Sequence, residues 1–293
     1  MPELNELKQS QGRFVWPPRT DTALRPPPLA PEPHTTALGT LLDSVELDLL
    51  GRESLAFDEW AKRNNWQPDT REQYCWRCAG SVGPHEQDGE GCASCRTRKL
   101  PWDRALRLGG YQGRLRSETL ALKFHAWRPG GRGLGQVMGN LIRAQLTESQ
   151  IPTDRALLVP IPTHPWRRIR RGIDHTMVIT QAASASSGCA ISGAIRARYR
   201  PEQVGLTATA RAKNMKDAFR ACPRALARVH RLDDQSPRVW ILIDDVRTTG
   251  ATFYAGAKAL RRGLRDSAPK GQTHSIWVCS VGVALGRERR NRD

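Results

Sequence analysis

Nothing in this 293-residue chain approaches the roughly 20 consecutive apolar residues of a membrane span, so no transmembrane segment is expected. The amino terminus, MPELNELKQSQGRFVW, lacks a secretory pattern. It has no apolar run and carries Glu3 and Glu6, which places the chain by expectation in the reducing cytoplasm. The seven cysteines are then not expected to form disulfides. Acidic charge is also short: 29 Asp and Glu stand against 46 Lys and Arg, giving a net +17 and a pI near 10.4. Such an excess suggests a polyanionic partner, either nucleic acid or a phosphorylated small molecule. Charge alone does not choose between them. The surplus is mostly arginine, dense around Arg167 to Arg171, Arg196 to Arg200, Arg261 to Arg265 and Arg287 to Arg292, and a solvated surface accounts for much of it.

The length suits one sizeable core plus a small accessory module. Residues 1–34 are rich in proline, with PPRTDTALRPPPLAPEP from Pro17 to Pro33, and offer little to bury. They read as a disordered arm, with a polyproline ligand as the alternative. Residues 35–70 read as a helical segment: Leu38, Leu41, Leu42, Val45 and Leu49 recur at helical spacing from Thr36 to about Leu50, and a short helix is expected over Leu55 to Asn64.

Residues 71–100 hold two C-x-x-C knuckles, Cys75 with Cys78 and Cys92 with Cys95, around a polar, glycine-rich stretch. Four thiolates satisfy a tetrahedral Zn²⁺ with no open position, so the site reads as structural rather than catalytic. A rubredoxin-like iron site and a redox dithiol are the alternatives. His85 reads as a loop residue. Cys189, Cys222 and Cys279 have no matching spacing and read as ordinary apolar residues.

From residue 101 to 293 strand and helix patterns alternate, the signature of an α/β domain with a mainly parallel sheet flanked by helices. Leu106, Leu108 and Tyr111 mark a strand, Leu115 to Phe124 a helix, Ala156 to Pro162 a buried strand, about Ile173 to Ala185 a helix ended near Gly188, and Ser275 to Leu285 a last strand. The most informative stretch is VWILIDDVRTTGAT, Val239 to Thr252. A buried strand ends on Asp244 and Asp245, a short Thr- and Gly-rich loop follows, and Phe253, Ala257, Leu260 and Leu264 then mark a helix. Backbone N–H groups of Arg247 to Ala251 can converge on an anion there. Gly250 allows close approach, Thr248, Thr249 and Thr252 add hydroxyl donors, and the helix amino terminus adds partial positive charge. Carboxylates cannot bind that anion and need another partner, either vicinal ribose hydroxyls or a Mg²⁺ shared with a polyphosphate. A P-loop would need a Lys before Ser or Thr, and a dinucleotide fold three spaced glycines, and neither is present.

One ligand carries all of these parts: phosphoribosyl pyrophosphate. The stretch closely resembles the phosphoribosyl pyrophosphate motif of type I phosphoribosyltransferases, whose paired acids fall on Asp244 and Asp245 and whose phosphate loop falls on Val246, Arg247, Thr248, Thr249, Gly250, Ala251 and Thr252. YQGRLRSETLALKFHAW (Tyr111 to Trp127), VPIPTHPWRRIRRGID (Val159 to Asp174), EQVGLTATARAKNMKDAF (Glu202 to Phe219) and IDDVRTTGAT occur in the order found in ComF-type proteins. From Cys75 to about Leu285 the chain is similar to the ComF/GntX group, in which a four-cysteine zinc module precedes a type I phosphoribosyltransferase-like core.

The resemblance implies displacement of pyrophosphate from C1 of the sugar by an unidentified acceptor, with Mg²⁺ and cations on the leaving group. It assigns the pyrophosphate loop to Thr163 to Gly172, with Arg167, Arg168, Arg170 and above all Arg171 as its cations, and it aligns Lys123 with the family's lysine. Gln203, Arg211 and Asn214 fall on the family's hood. Where the family has Phe-Asn-Gln after Arg-Gly, this chain has Ile173, Asp174 and His175. No base-binding pattern identifies the acceptor. The resemblance also implies an alternative from another class, a nucleic-acid-handling accessory of DNA uptake with single-stranded DNA and protein partners, and a third, a ligand-responsive regulator.

Overall fold

The computed structural model describes residues 55–163, 173–198, 217–232, 238–267 and 273–284. Helix α1 (Phe57–Arg63) precedes the cysteine module, whose two short strands β1 (Gln87–Asp88) and β2 (Gly91–Cys92) pair antiparallel. Then follow β3 (Arg104–Gly110), α2 (Gly113–His125), α3 (Arg128–Glu148), β4 (Ala156–Pro160), α4 (His175–Ser187) and β5 (Ala190–Ile191). Next come β6 (Ile195–Ala197), β7 (Phe219–Ala221), α5 (Pro223–Leu232), β8 (Arg238–Arg247), α6 (Ala251–Ser267) and β9 (His274–Val283). The expected arm and the expected Thr36 to Leu50 helix lie outside the described residues.

Five strands form one sheet in the order β3-β9-β8-β4-β5, and every pairing within it is parallel. Parallel strands are covered on both faces, which is why β8 reads as an unbroken apolar run. Its side chains alternate between two cores. Val239, Ile241 and Ile243 face one with Leu134, Met138, Ile142 and Ile179 from α3 and α4. Trp240 and Leu242 face the other with Phe253, Ala257, Leu260 and Leu264 from α6.

The helix after β4 therefore packs on one face and the helix after β8 on the opposite face, although the two strands are neighbours. That is a topological switch point, where the loops leaving adjacent strands diverge and leave a crevice at the carboxyl ends. The carboxyl end of β4, the start of α4 and the loop from β8 into α6 flank it.

Helix α3 had no counterpart among the expected elements. RPGGRGLGQVMGN looks like a loop by propensity, since each helical glycine costs about 1 kcal/mol relative to alanine. Tertiary packing overrides this. A Cβ at Gly135 would lie 2.3 Å from the Ile179 carbonyl oxygen, and one at Gly139 2.0 Å from Ser186 Oγ and 2.4 Å from the Ala183 carbonyl oxygen. The glycines let α3 seat directly on the backbone of α4, burying Leu134, Met138, Ile142 and Leu146 completely.

Candidate functional site

The site is assembled at the carboxyl end of β8. Asp244 and Asp245 follow the fully buried Ile243 and are themselves 9% and 5% exposed. Their local bonds run along the chain: Asp244 Oδ1 accepts from the Asp245 N–H at 2.9 Å, and Asp245 Oδ1 accepts from the Val246 N–H at 2.6 Å. Thr248 to Gly250 form the bend into α6, with Gly250 at φ +80°, a left-handed conformation that glycine adopts without strain. Thr249 Oγ1 accepts from the Ala251 N–H at 3.3 Å, and Thr248 and Thr249 are exposed. This is the strand, acid pair, bend and helix order that the sequence suggested.

Two basic side chains arrive from other elements. Lys123, in the last turn of α2, places Nζ 2.7 Å from Asp245 Oδ2. His175, the first residue of α4, places Nε2 3.1 Å from the same oxygen. Asp174 sets that position by capping α4, its Oδ1 accepting from the Met177 N–H at 3.3 Å and lying 3.5 Å from Thr163 Oγ1.

The acids consequently differ. Burial pushes both carboxyls up, because a charged group loses hydration. At Asp244 the neighbouring Asp245 charge adds to burial, and its pKa stands well above the ordinary carboxylate range. At Asp245 burial is outweighed by His175 and Lys123, and the group is held below its ordinary value. One acid is thus held ionised and the other tends to keep its proton.

Lys123, which the resemblance aligns with the family's lysine, lies against Asp245. His175 entered the sequence reading only as a departure from the family pattern. The signal was a histidine in the first turn of a helix that starts beside the switch point. Arg167, Arg168, Arg170, Arg171, Gln203, Arg211 and Asn214 lie outside the described residues.

Arg247 closes the back of the loop, its Nε 3.3 Å from where a Gly250 Cβ would stand. Burial lowers its pKa, the Cys78 and Cys95 sulfurs favour its charge and Arg98 opposes it, so this guanidinium is electrostatically in reach of the cysteine module.

In that module Cys75, Cys78, Cys92 and Cys95 are buried and offer sulfurs within 4.8 Å of one another. The Cys75–Cys95, Cys78–Cys92 and Cys92–Cys95 separations are each 3.7 Å. Zn–S bonds of about 2.3 Å at tetrahedral corners give edges of about 3.8 Å, so the spacing fits a structural zinc. Backbone N–H groups of Cys92 and Gly80 point at Cys75 Sγ (3.3 Å) and Cys78 Sγ (3.4 Å), as a thiolate cluster requires. Arg77 ties the knuckles by donating to the carbonyl oxygens of Glu90, Cys95, Arg96 and Arg98. Arg107, only 2% exposed, docks the module on β3 by donating to Ala79 O, Ser81 Oγ and Gln73 O and pairing with Asp69 at 2.6 Å. Cys189, Cys222 and Cys279 are buried apolar residues, as expected, and His85 lies in an exposed turn.

A parallel α/β sheet with an acid pair and loop at its switch point, preceded by a four-cysteine module, defines a phosphoribosyltransferase-like architecture. No family model matches the chain. Competence protein F of Haemophilus influenzae is 28% identical over 191 residues, covering 64% of this chain and 79% of that protein. Together with the cysteine cluster, this homologue bears out the resemblance to ComF-type proteins. No helix among the described residues is long and apolar enough to cross a membrane.

Proposed function

We propose that the crevice between β4 and β8 binds phosphoribosyl pyrophosphate with Mg²⁺ and that the chain transfers the phosphoribosyl group to an acceptor, releasing pyrophosphate. The supporting observation is the placement of Asp244 and Asp245 at the switch point, directly before the Gly250 bend and the α6 amino terminus. The first-turn N–H groups of α6, with Thr248, Thr249 and Thr252, take the 5′-phosphate. The acid pair at the strand end supplies the carboxylate that meets the sugar hydroxyls or the cation. A carboxyl driven up by burial suits a divalent ion, whose charge favours the ionised form of Asp244. Bound Mg²⁺ supplies charge neutralisation on the pyrophosphate. Arg171 and its neighbours, on the stretch that leads into α4, stabilise the charge that develops as the C1–O bond breaks. No protein nucleophile is needed, so catalysis rests on positioning and electrostatics. Residues 101–293 form the transferase unit in this reading, and the zinc module of residues 71–100 is structural.

Calorimetric titration with phosphoribosyl pyrophosphate, with and without Mg²⁺, on the wild type and Asp244→Asn tests this. Saturable, Mg²⁺-dependent binding that the variant loses is expected, followed by pyrophosphate release with one of a panel of bases and amines. A folded, zinc-loaded wild type that does not bind would end the reading.

A second reading has its own observation. A groove of about 470 Å³ between the antiparallel β6–β7 pair and α6 carries Arg198, Arg220, Lys258 and Arg262, against Asp217 and Asp266. With the +17 charge, and a relative named for competence, it supports handling of single-stranded DNA during uptake, alongside protein partners. Binding that falls steeply with salt and weakens in Lys258→Glu/Arg262→Glu is the expected result, and no binding near physiological salt would remove it.

A further inference from the structure

The two acids of the crevice have unequal surroundings. Both oxygens of Asp245 face groups of the protein itself: Oδ1 accepts from the Val246 N–H, and Oδ2 lies within ion-pair distance of Lys123 Nζ at 2.7 Å and His175 Nε2 at 3.1 Å. Asp244 accepts from the Asp245 N–H, and among the described residues no cation lies within ion-pair distance of it. His175 is 6% exposed, and its Nδ1 is buried with no hydrogen-bond partner among the described residues. A buried ring nitrogen left unpaired carries a cost, so what fixes the ring is its other nitrogen. With a carboxylate oxygen facing Nε2, the ring proton belongs there.

Building on the proposed reading of the crevice, we infer that Asp245 is an internal strut rather than a ligand group, and that His175 is the positioning residue that locks it, leaving Asp244 as the acid that meets the ligand. The strut joins three elements at one atom: the end of α2 through Lys123, the start of α4 through His175, and the end of β8. The stretch that leaves β4 re-enters the described structure at Ile173, immediately before this contact. His175 therefore fixes the start of α4 against the strand that carries the proposed phosphate loop. What the site needs from residue 175 is a rigid N–H donor to a carboxylate, which a glutamine side chain can imitate and a leucine cannot.

The full-length protein, labelled with ¹⁵N in its histidines, decides this by long-range ¹H–¹⁵N spectra, with His175→Gln identifying the signals. The ring should be protonated at Nε2, and its signals should move in Asp245→Asn. In parallel, phosphoribosyl pyrophosphate with Mg²⁺ is titrated into His175→Gln and His175→Leu. Glutamine should hold affinity within about three-fold of wild type, and leucine should lose at least about ten-fold, the worth of a hydrogen bond to a charged group. A ring protonated at Nδ1 alone overturns the inference, as does leucine binding as tightly as wild type. Should Asp245→Asn fail to fold, the wild-type tautomer and the glutamine and leucine pair still decide. If the wild type binds no phosphoribosyl pyrophosphate yet its ring signals respond to Asp245→Asn as stated, the ligand reading falls and the clamp stands.

Discussion

Lys123 Nζ lies 2.7 Å from Asp245 Oδ2, with the lysine side chain 18% and the aspartate side chain 7% exposed, so α2 is pinned to the end of β8 by a largely dehydrated ion pair. Removing one partner of such a pair strands the other charge. Lys123→Met should cost about 3 kcal/mol of stability by denaturant unfolding, and a loss well under 1 kcal/mol would show that solvent already screens the pair.

Asp244→Asn and Asp245→Asn should move stability in opposite directions. The folded pKa of Asp244 is raised, so the native state binds the extra proton and stability falls as pH climbs above the ordinary carboxylate value. Asparagine there removes the penalty and should raise the melting temperature at pH 7. The folded pKa of Asp245 is lowered, so its contribution is present above the unfolded value and lost as pH falls through the folded one. Asparagine at that position should lower the melting temperature at pH 7. Both differences should shrink in melts recorded below about pH 4, where the unfolded carboxyls are protonated.

The α3–α4 seam leaves no room for a methyl group at Gly139, whose Cβ would meet both a side chain and the Ala183 backbone. Gly139→Ala gains helix propensity of about 1 kcal/mol, yet overpacking against main chain should dominate and leave a net loss of about 1–2 kcal/mol in equilibrium unfolding. A stabilised variant would mean that the helices can part without cost.

Cys75→Ser removes one corner of the thiolate tetrahedron. Metal analysis should give clearly less than one zinc per chain, together with a lower melting temperature, since binding energy at such a site is folding energy. Full zinc stoichiometry in the variant would contradict the ligand assignment.

The strand and acid pair at Val239 to Asp245 were legible because a buried parallel strand has an unmistakable apolar run, and the acids interrupt it at its carboxyl end. The four cysteines were legible because knuckle spacing is a local property. Helix α3 was not. Its glycines oppose helix formation locally and are explained only by the α4 backbone on the other side of the seam. The engagement of Lys123 and His175 with a single oxygen of Asp245 was hidden for a related reason. Three elements distant in sequence meet there through the parallel topology, and no spacing rule spans them. The resemblance singled out Lys123, but its contact with Asp245 could not be read from the helix that carries it.

The docking of the cysteine module also bears on solubility. Strand β3 is an outer strand of the five-stranded sheet, and its free side is occupied by the module and the residues just before it: the Ala105 N–H donates to Trp76 O at 2.8 Å, and Leu108 O accepts from the Asp69 N–H at 2.8 Å. An uncovered edge of this kind offers a template on which another chain can add a strand. The module thus acts as a guard on the sheet, and a chelator that strips its metal would provoke self-association along β3 while the other strands of the sheet remain paired.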